Sequence, residues 1–156
     1  RQPLVINLVE HDTYLHHNMH MMISGTVDLM ASPEFDVREL GALREALWFA
    51  QQMGRIGNLV TTWEREIGER DFSSGVFALS LSEGVITVDD LAGDDIEFAL
   101  EKIRRSHVEG VFLDRWKDHR RRLLERVGSF ASVDIRAVVR GLEQLVQLHL
   151  SSRGMK

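Results

Sequence analysis

The sequence predicts an all-α fold. Only two prolines, Pro3 and Pro33, occur in 156 residues, and after residue 33 the chain is rich in Leu, Ala, Glu and Arg with few β-branched clusters. Apolar residues recur there at three- and four-residue spacing, the period of an amphipathic helix. They make up 44% of the chain, enough for one ordinary domain with a core, and no repeat or linker divides residues 1–156.

A first helix is expected from about Val5 to Ala31, with a break around "SGTVD" because Ser24 and Gly25 are poor helix-interior residues. "ASPEFD" punctuates the chain. Asp36 then caps a second helix, with Glu39 as the reciprocal partner of a capping box. Leu40, Leu43, Leu47, Ala50, Gly54, Gly57 and Thr61 follow on one stripe, so this helix should reach about Arg70 and lie centrally. Gly54 and Gly57 bare that stripe for a close neighbour. After "RDFSSG", the apolar segment "VFALSL" ends at Gly84, and "GVITVDDLAGDD" reads as a loop with one helical turn. A long helix from about Ile96 to Val127 comes next. "GSFASVD" separates it from a last helix, about Asp134 to Ser152, whose Ile135, Val138, Val139, Leu142, Leu145, Val146 and Leu150 make an apolar face.

Nineteen basic against 24 acidic residues give a net charge of -5, which argues against nucleic acid or an anionic membrane as the main partner. The absence of cysteine removes disulfides, a thiolate nucleophile and sulfur-ligated zinc, and favours the cytoplasm. No apolar run approaches the roughly 18 residues of a membrane span, and "RQPLVINLVEHD" lacks the features of a signal peptide, so no membrane insertion is expected. The chain starts at Arg1 and turns apolar almost at once, as the middle of a longer polypeptide would.

The stretch "MGRIGNLVTTWEREIGERDFSSG" carries the most chemistry. Asn58, Thr62 and Glu66 are spaced four residues apart, so they occupy a helical strip roughly 80° wide and about 12 Å long. Amide oxygen, hydroxyl and carboxylate are hard ligands suited to magnesium (Mg2+), which takes its remaining oxygens from water and phosphate. A single carboxylate makes a weak site alone. The set makes sense when a diphosphate completes the coordination, with Arg55 and Arg65 nearby to balance its charge. The same spacing also fits the solvated flank of an amphipathic helix.

"NLVTTWERE" resembles the second metal-binding motif of class I terpene synthases, with Asn58, Thr62 and Glu66 at its three ligand positions and Arg65 where the family often has a basic residue contacting diphosphate. Leu59 replaces the usual acidic residue after the Asn. "VVRGLEQLVQLHLSSRGMK" is similar to the last helix of bacterial members, which ends in an Arg-Tyr pair; here the pair reads Arg153-Gly154, leaving the Arg to bind diphosphate without its Tyr partner. The resemblance covers the whole chain but only the second half of such a domain, since the family's aspartate-rich first motif belongs to an earlier helix. It implies a class I terpenoid synthase-like helical bundle and a magnesium-dependent lyase. That enzyme would ionise a prenyl diphosphate of the farnesyl or geranylgeranyl class and cyclise the carbocation. It also implies that the N-terminal half, or a companion chain, completes the site; a homodimer is allowed. The family commonly places an arginine at the helix break, whereas residues 2–37 contain no Arg or Lys. That role is absent, moved, or taken by His17 or Asn18.

Other patterns compete. His11, His16, His17 and His20 include one pair a turn apart, a spacing able to bind a metal from one helix face, while histidines hydrogen-bonded in a core or lining a rim are the alternative. A di-metal centre would need partners, and the only other histidines are His107, His119 and His149. Tyr14, Met19, Met22 and Ile23 line a cavity or pack the core. "DDLAGDD" reads as a solvated, helix-capping run with a metal role as its alternative, and "RWKDHRRRLLERV" as i,i+4 ion pairs on a solvated face with a diphosphate or partner contact as its alternative. Trp48, Phe49, Trp63 and Phe77 are candidates to face a carbocation or to fill the core. A non-catalytic helical scaffold and a prenyl-chain-elongating synthase are the alternatives to the cyclase.

Overall fold

The computed structural model describes residues 3–151 and residue 153, and all regular structure among them is helical. The helices are α1 (Leu8–Tyr14), α2 (Met21–Met30), α3 (Leu40–Gly68), α4 (Gly75–Ser82), α5 (Val88–Ala92), α6 (Ile96–Arg104), α7 (Val108–Glu125) and α8 (Ile135–Ser151), with short 3-10 turns between some of them. Arg1, Ser152 and Gly154, on which parts of the sequence reading fall, lie outside the described residues.

The central helix is α3, as the stripe of small and apolar residues predicts. Its buried side chains run from Leu43 to Ile67 and join two cores. One gathers Trp63, Phe77, Ile103 and Phe112 with their neighbours. The other gathers Leu43, Met53, Leu123, Ile135 and Leu142, and Trp116 packs against both. Burying side chains of this size contributes about 1.5–3 kcal/mol each before entropy is counted. Gly57 faces Val146 of α8, 3.4 Å from where a Cβ would stand, which is the close approach expected of it. Gly54 instead receives Met19 and Met21 from the corner before α2.

Three expectations are corrected. The break in the first helical stretch lies at His20, which adopts a left-handed backbone (φ 56°) after the 3-10 turn Leu15–Met19, and not at Ser24 and Gly25, which are inside α2. Gly25 is there for packing: a Cβ would come within 3.0 Å of the Leu47 side chain of α3. The expected helix from Ile96 to Val127 is two helices, because the Ser106 hydroxyl donates to the Ile103 carbonyl and accepts from the Val108 amide, capping one end and starting the next. Asp36 does cap, accepting from the Arg38 amide, but Glu39 does not reach back. Its carboxylate accepts instead from the Ala131 amide and from the amide and hydroxyl of Ser132, tying the start of α3 to the loop before α8.

Elsewhere the local signals act as read. Thr87 and Asp90 form a full capping box on α5, and Asp95 caps α6, so "DDLAGDD" is a helix-capping run. Gly84 takes φ 69° just past α4. The basic stretch of α7 is laced by ion pairs, Arg122 to Asp118, Lys117 to Asp114 and Arg120 to Glu143 among them. No helix among the described residues is long and apolar enough to cross a membrane.

One helix stands apart. α2 has no buried side chain, and Ile23, Val27 and Met30 are among the exposed large apolar residues of the chain.

Candidate functional site

Helix α3 carries Asn58, Thr62 and Glu66 on one half-buried strip, beside the fully packed flank of Leu59 and Trp63. Leu59 is 1% exposed, so an acidic residue there would be buried in the core.

Thr62 links the other two, through the Glu66 side chain and the Asn58 backbone. Thr62 Oγ1 lies 2.6 Å from Glu66 Oε1 and 3.0 Å from the Asn58 carbonyl oxygen, hence its single proton is shared between two acceptors. Asn58 Oδ1 accepts from Arg55 Nη1 at 3.0 Å. Glu66 Oε2 is buried and has no hydrogen-bond partner among the described residues. Burial raises the Glu66 carboxyl above its ordinary range, opposed by the Thr62 bond and the Arg55 charge and reinforced by Asp71. Burial likewise lowers Arg55, and Glu66 and Asp71 pull it back up. A guanidinium remains charged through such a shift.

The donor set fits a hard divalent cation. It offers an orphaned carboxylate oxygen, a hydroxyl and an amide oxygen within one strip, the last held by an arginine that would have to release it. Among the described residues no group of three or more His, Cys, Asp or Glu side chains is placed to hold a metal, so the strip would rely on its amide and hydroxyl oxygens and on those of a ligand.

The remaining predicted residues lie elsewhere. Arg65 is exposed and pairs with Glu69 at 3.4 Å. Arg153 donates to both oxygens of Glu109, at 2.8 and 2.9 Å, and to Glu64 at 2.7 Å. Glu64 is two residues from both Thr62 and Glu66, about 200° around the helix, so Arg153 is held across α3 from the strip. Trp63 Nε1 donates to Glu109, and Arg104 to Glu64, completing a polar cluster that sequence spacing gave no means of finding. Trp63 and Phe77 are core residues in edge-to-face contact. Trp48 is partly exposed and stands edge-on to His16, and Phe49 lies under Arg126. His107 pairs with Glu83.

No family model matches the chain, and no curated protein or solved structure does. What the strip does must therefore be argued from its own chemistry.

Proposed function

We propose that the chain is part of a magnesium-dependent class I terpene cyclase, with Asn58, Thr62 and Glu66 as one metal-binding set on a terpenoid synthase-like bundle. The observation that carries this reading is the buried, unpartnered Oε2 of Glu66, set in a strip with the Thr62 hydroxyl and the Asn58 amide. An orphaned carboxylate oxygen is costly unless a cation or donor meets it.

Magnesium, when bound, supplies the charge that helps a diphosphate leave an allylic carbon. Glu66 would hold it through Oε2, and Thr62 keeps Oε1 oriented by donating to it. Arg55, already against Asn58, is the cation best placed to turn from that amide to an arriving diphosphate. Arg65 and Arg153 would have to break ion pairs with Glu69, or with Glu64 and Glu109, to join it. The prenyl substrate, of the farnesyl or geranylgeranyl class, would be enclosed with an aspartate-rich N-terminal half or companion chain, in a cytoplasmic enzyme.

The test is joint stabilisation. Magnesium and inorganic diphosphate together should raise the thermal midpoint well beyond the sum of their separate effects, and Glu66→Gln should remove the excess. Additive or absent effects would reject the reading. The second reading, a non-catalytic helical module, is favoured by the strip's closure on itself, since Arg55 occupies Asn58 and Thr62 occupies Glu66; it expects indifference to both ligands.

A further inference from the structure

We propose that the cavity between α1, α3 and α7 binds a small tetrahedral oxyanion of the phosphate class without metal, on a set of groups that meets the magnesium strip only at Arg55. The cavity measures about 200 Å³ and opens among His11, His16, Arg55, Arg115 and His119. That is room for roughly half a dozen water-sized groups.

Its walls present buried polar nitrogens that no group among the described residues satisfies. Arg55 Nε and His119 Nδ1 are buried without a hydrogen-bond partner among the described residues, and His11, whose Nδ1 meets Asp12, offers a donor at Nε2 only when the ring is protonated. His16 is 2% exposed, neither ring nitrogen has a side-chain partner among the described residues, and the Asp12 backbone is the hydrogen-bonding group that acts on the ring. Buried donors of this kind are ordinarily paired, and the Arg55 Nε–H with the His119 ring beside it calls for an acceptor inside the cavity.

The charge agrees. Arg55 and Arg115 give two positive charges and Asp12 one negative, a surplus of one with every histidine neutral. Asp12 is already divided, accepting from Arg115 at 3.3 Å on each oxygen and lying 3.0 Å from His11 Nδ1. Two arginines cannot ligate a metal, so a surplus of N–H groups and positive charge selects an anion. The donors arrive from four directions, the α1 and 3-10 segments, α3 and α7. A tetrahedral anion can meet all of them, whereas a planar carboxylate meets one side.

Protonation should tighten the site. The groups facing the cavity are His11 and Asp12 from α1, His16 with His17 beside it, Arg55 from α3 with Glu66 and Asp71 behind it, and Arg115 and His119 from α7 with Asp118 and Arg122 adjoining. Each histidine that gains a proton adds a charge and a donor. Burial holds His16 and His119 below the ordinary histidine value, so an anion in the cavity would raise them.

Sulfate is the first probe, because its charge is fixed across the histidine range. It should be titrated against the protein in chelator-containing buffer at constant ionic strength, following the ring resonances of His16 and His119 by NMR. Saturable shifts are expected, with affinity rising between about pH 7.5 and about pH 6, and phosphate competing for the same site. Arg115→Gln should weaken binding about tenfold, the worth of one charge-assisted hydrogen bond. His119→Gln, at a half-buried position, should abolish the pH dependence contributed by that ring and serves if Arg115→Gln fails to fold. Glu66→Gln should leave sulfate affinity unchanged or higher, which separates this site from the magnesium reading. Absence of saturable shifts, or equal affinity in Arg115→Gln and His119→Gln, would overturn the proposal.

Discussion

The hydroxyl of Thr62 donates to Glu66 Oε1 across 2.6 Å, while the other carboxylate oxygen is buried with nothing to bind. A side chain half satisfied in this way is held in place but not at rest.

Glu66→Gln should therefore leave the free protein as stable as before, or more so. Burial raises the Glu66 carboxyl above its ordinary value of 4.5. A carboxyl raised by folding adds stability below its unfolded value, and that stability is lost as pH rises through the folded one. At neutral pH the ionised group is a burden that Gln lifts, while its amide oxygen still accepts from Thr62. Thermal denaturation at neutral pH checks this, and a clear drop in midpoint would show the charge to be structural.

Acid should weaken the fold before its carboxylates titrate. His16 and His119 are both held below the histidine value of 6.5 by burial. The unfolded chain then takes up protons first, so stability is full above 6.5 and falls as pH drops below it. Urea midpoints measured downward from neutral pH should decline from that point, and sulfate should offset the decline. Replacing His16 with Phe, which keeps an aromatic edge against Trp48, should flatten the curve.

Gly75 and Gly141 make an opposed pair. A Cβ on Gly75 would stand closer than 3.0 Å to three atoms of the His11 ring, so Gly75→Ala forces α1 and α4 apart at about 1–3 kcal/mol. Gly141 has nothing within 4 Å, and Gly141→Ala within α8 should stabilise by up to ~1 kcal/mol. Equilibrium urea unfolding of the two variants distinguishes steric from propensity effects.

Arg153 bridges Glu64 and Glu109, each 28% exposed, and its loss leaves Glu109 with the Trp63 indole as its hydrogen-bond partner among the described residues. Arg153→Met should cost about 1–2 kcal/mol and shift Trp63 fluorescence, while leaving joint stabilisation by magnesium and diphosphate intact. Loss of that joint effect would place the arginine at the ligand after all.

What could be read beforehand follows the range of the forces involved. The span of α3, the capping role of Asp90 and Asp95 and the pairing along α7 depend on neighbours within a turn, and the spacing of residues reveals them. Thr62 and Glu66 meet for the same reason. Gly25 misled because its meaning is set by Leu47, and Glu39 because Ser132, 93 residues away, outbids the local amide. Arg153 and the cavity histidines are placed by packing between helices distant in sequence, which no periodicity records.

Helix α2, apolar yet without one buried side chain, rests on α3 through partly buried contacts, Gly25 against Leu47, Met21 against Gly54 and the Met22 amide on Gln51. A ten-residue helix with so little burial opens at small cost. Its amides should exchange with deuterium sooner than those of α3, and that difference in clock rate would report anything that settles on the ridge of Ile23, Val27 and Met30.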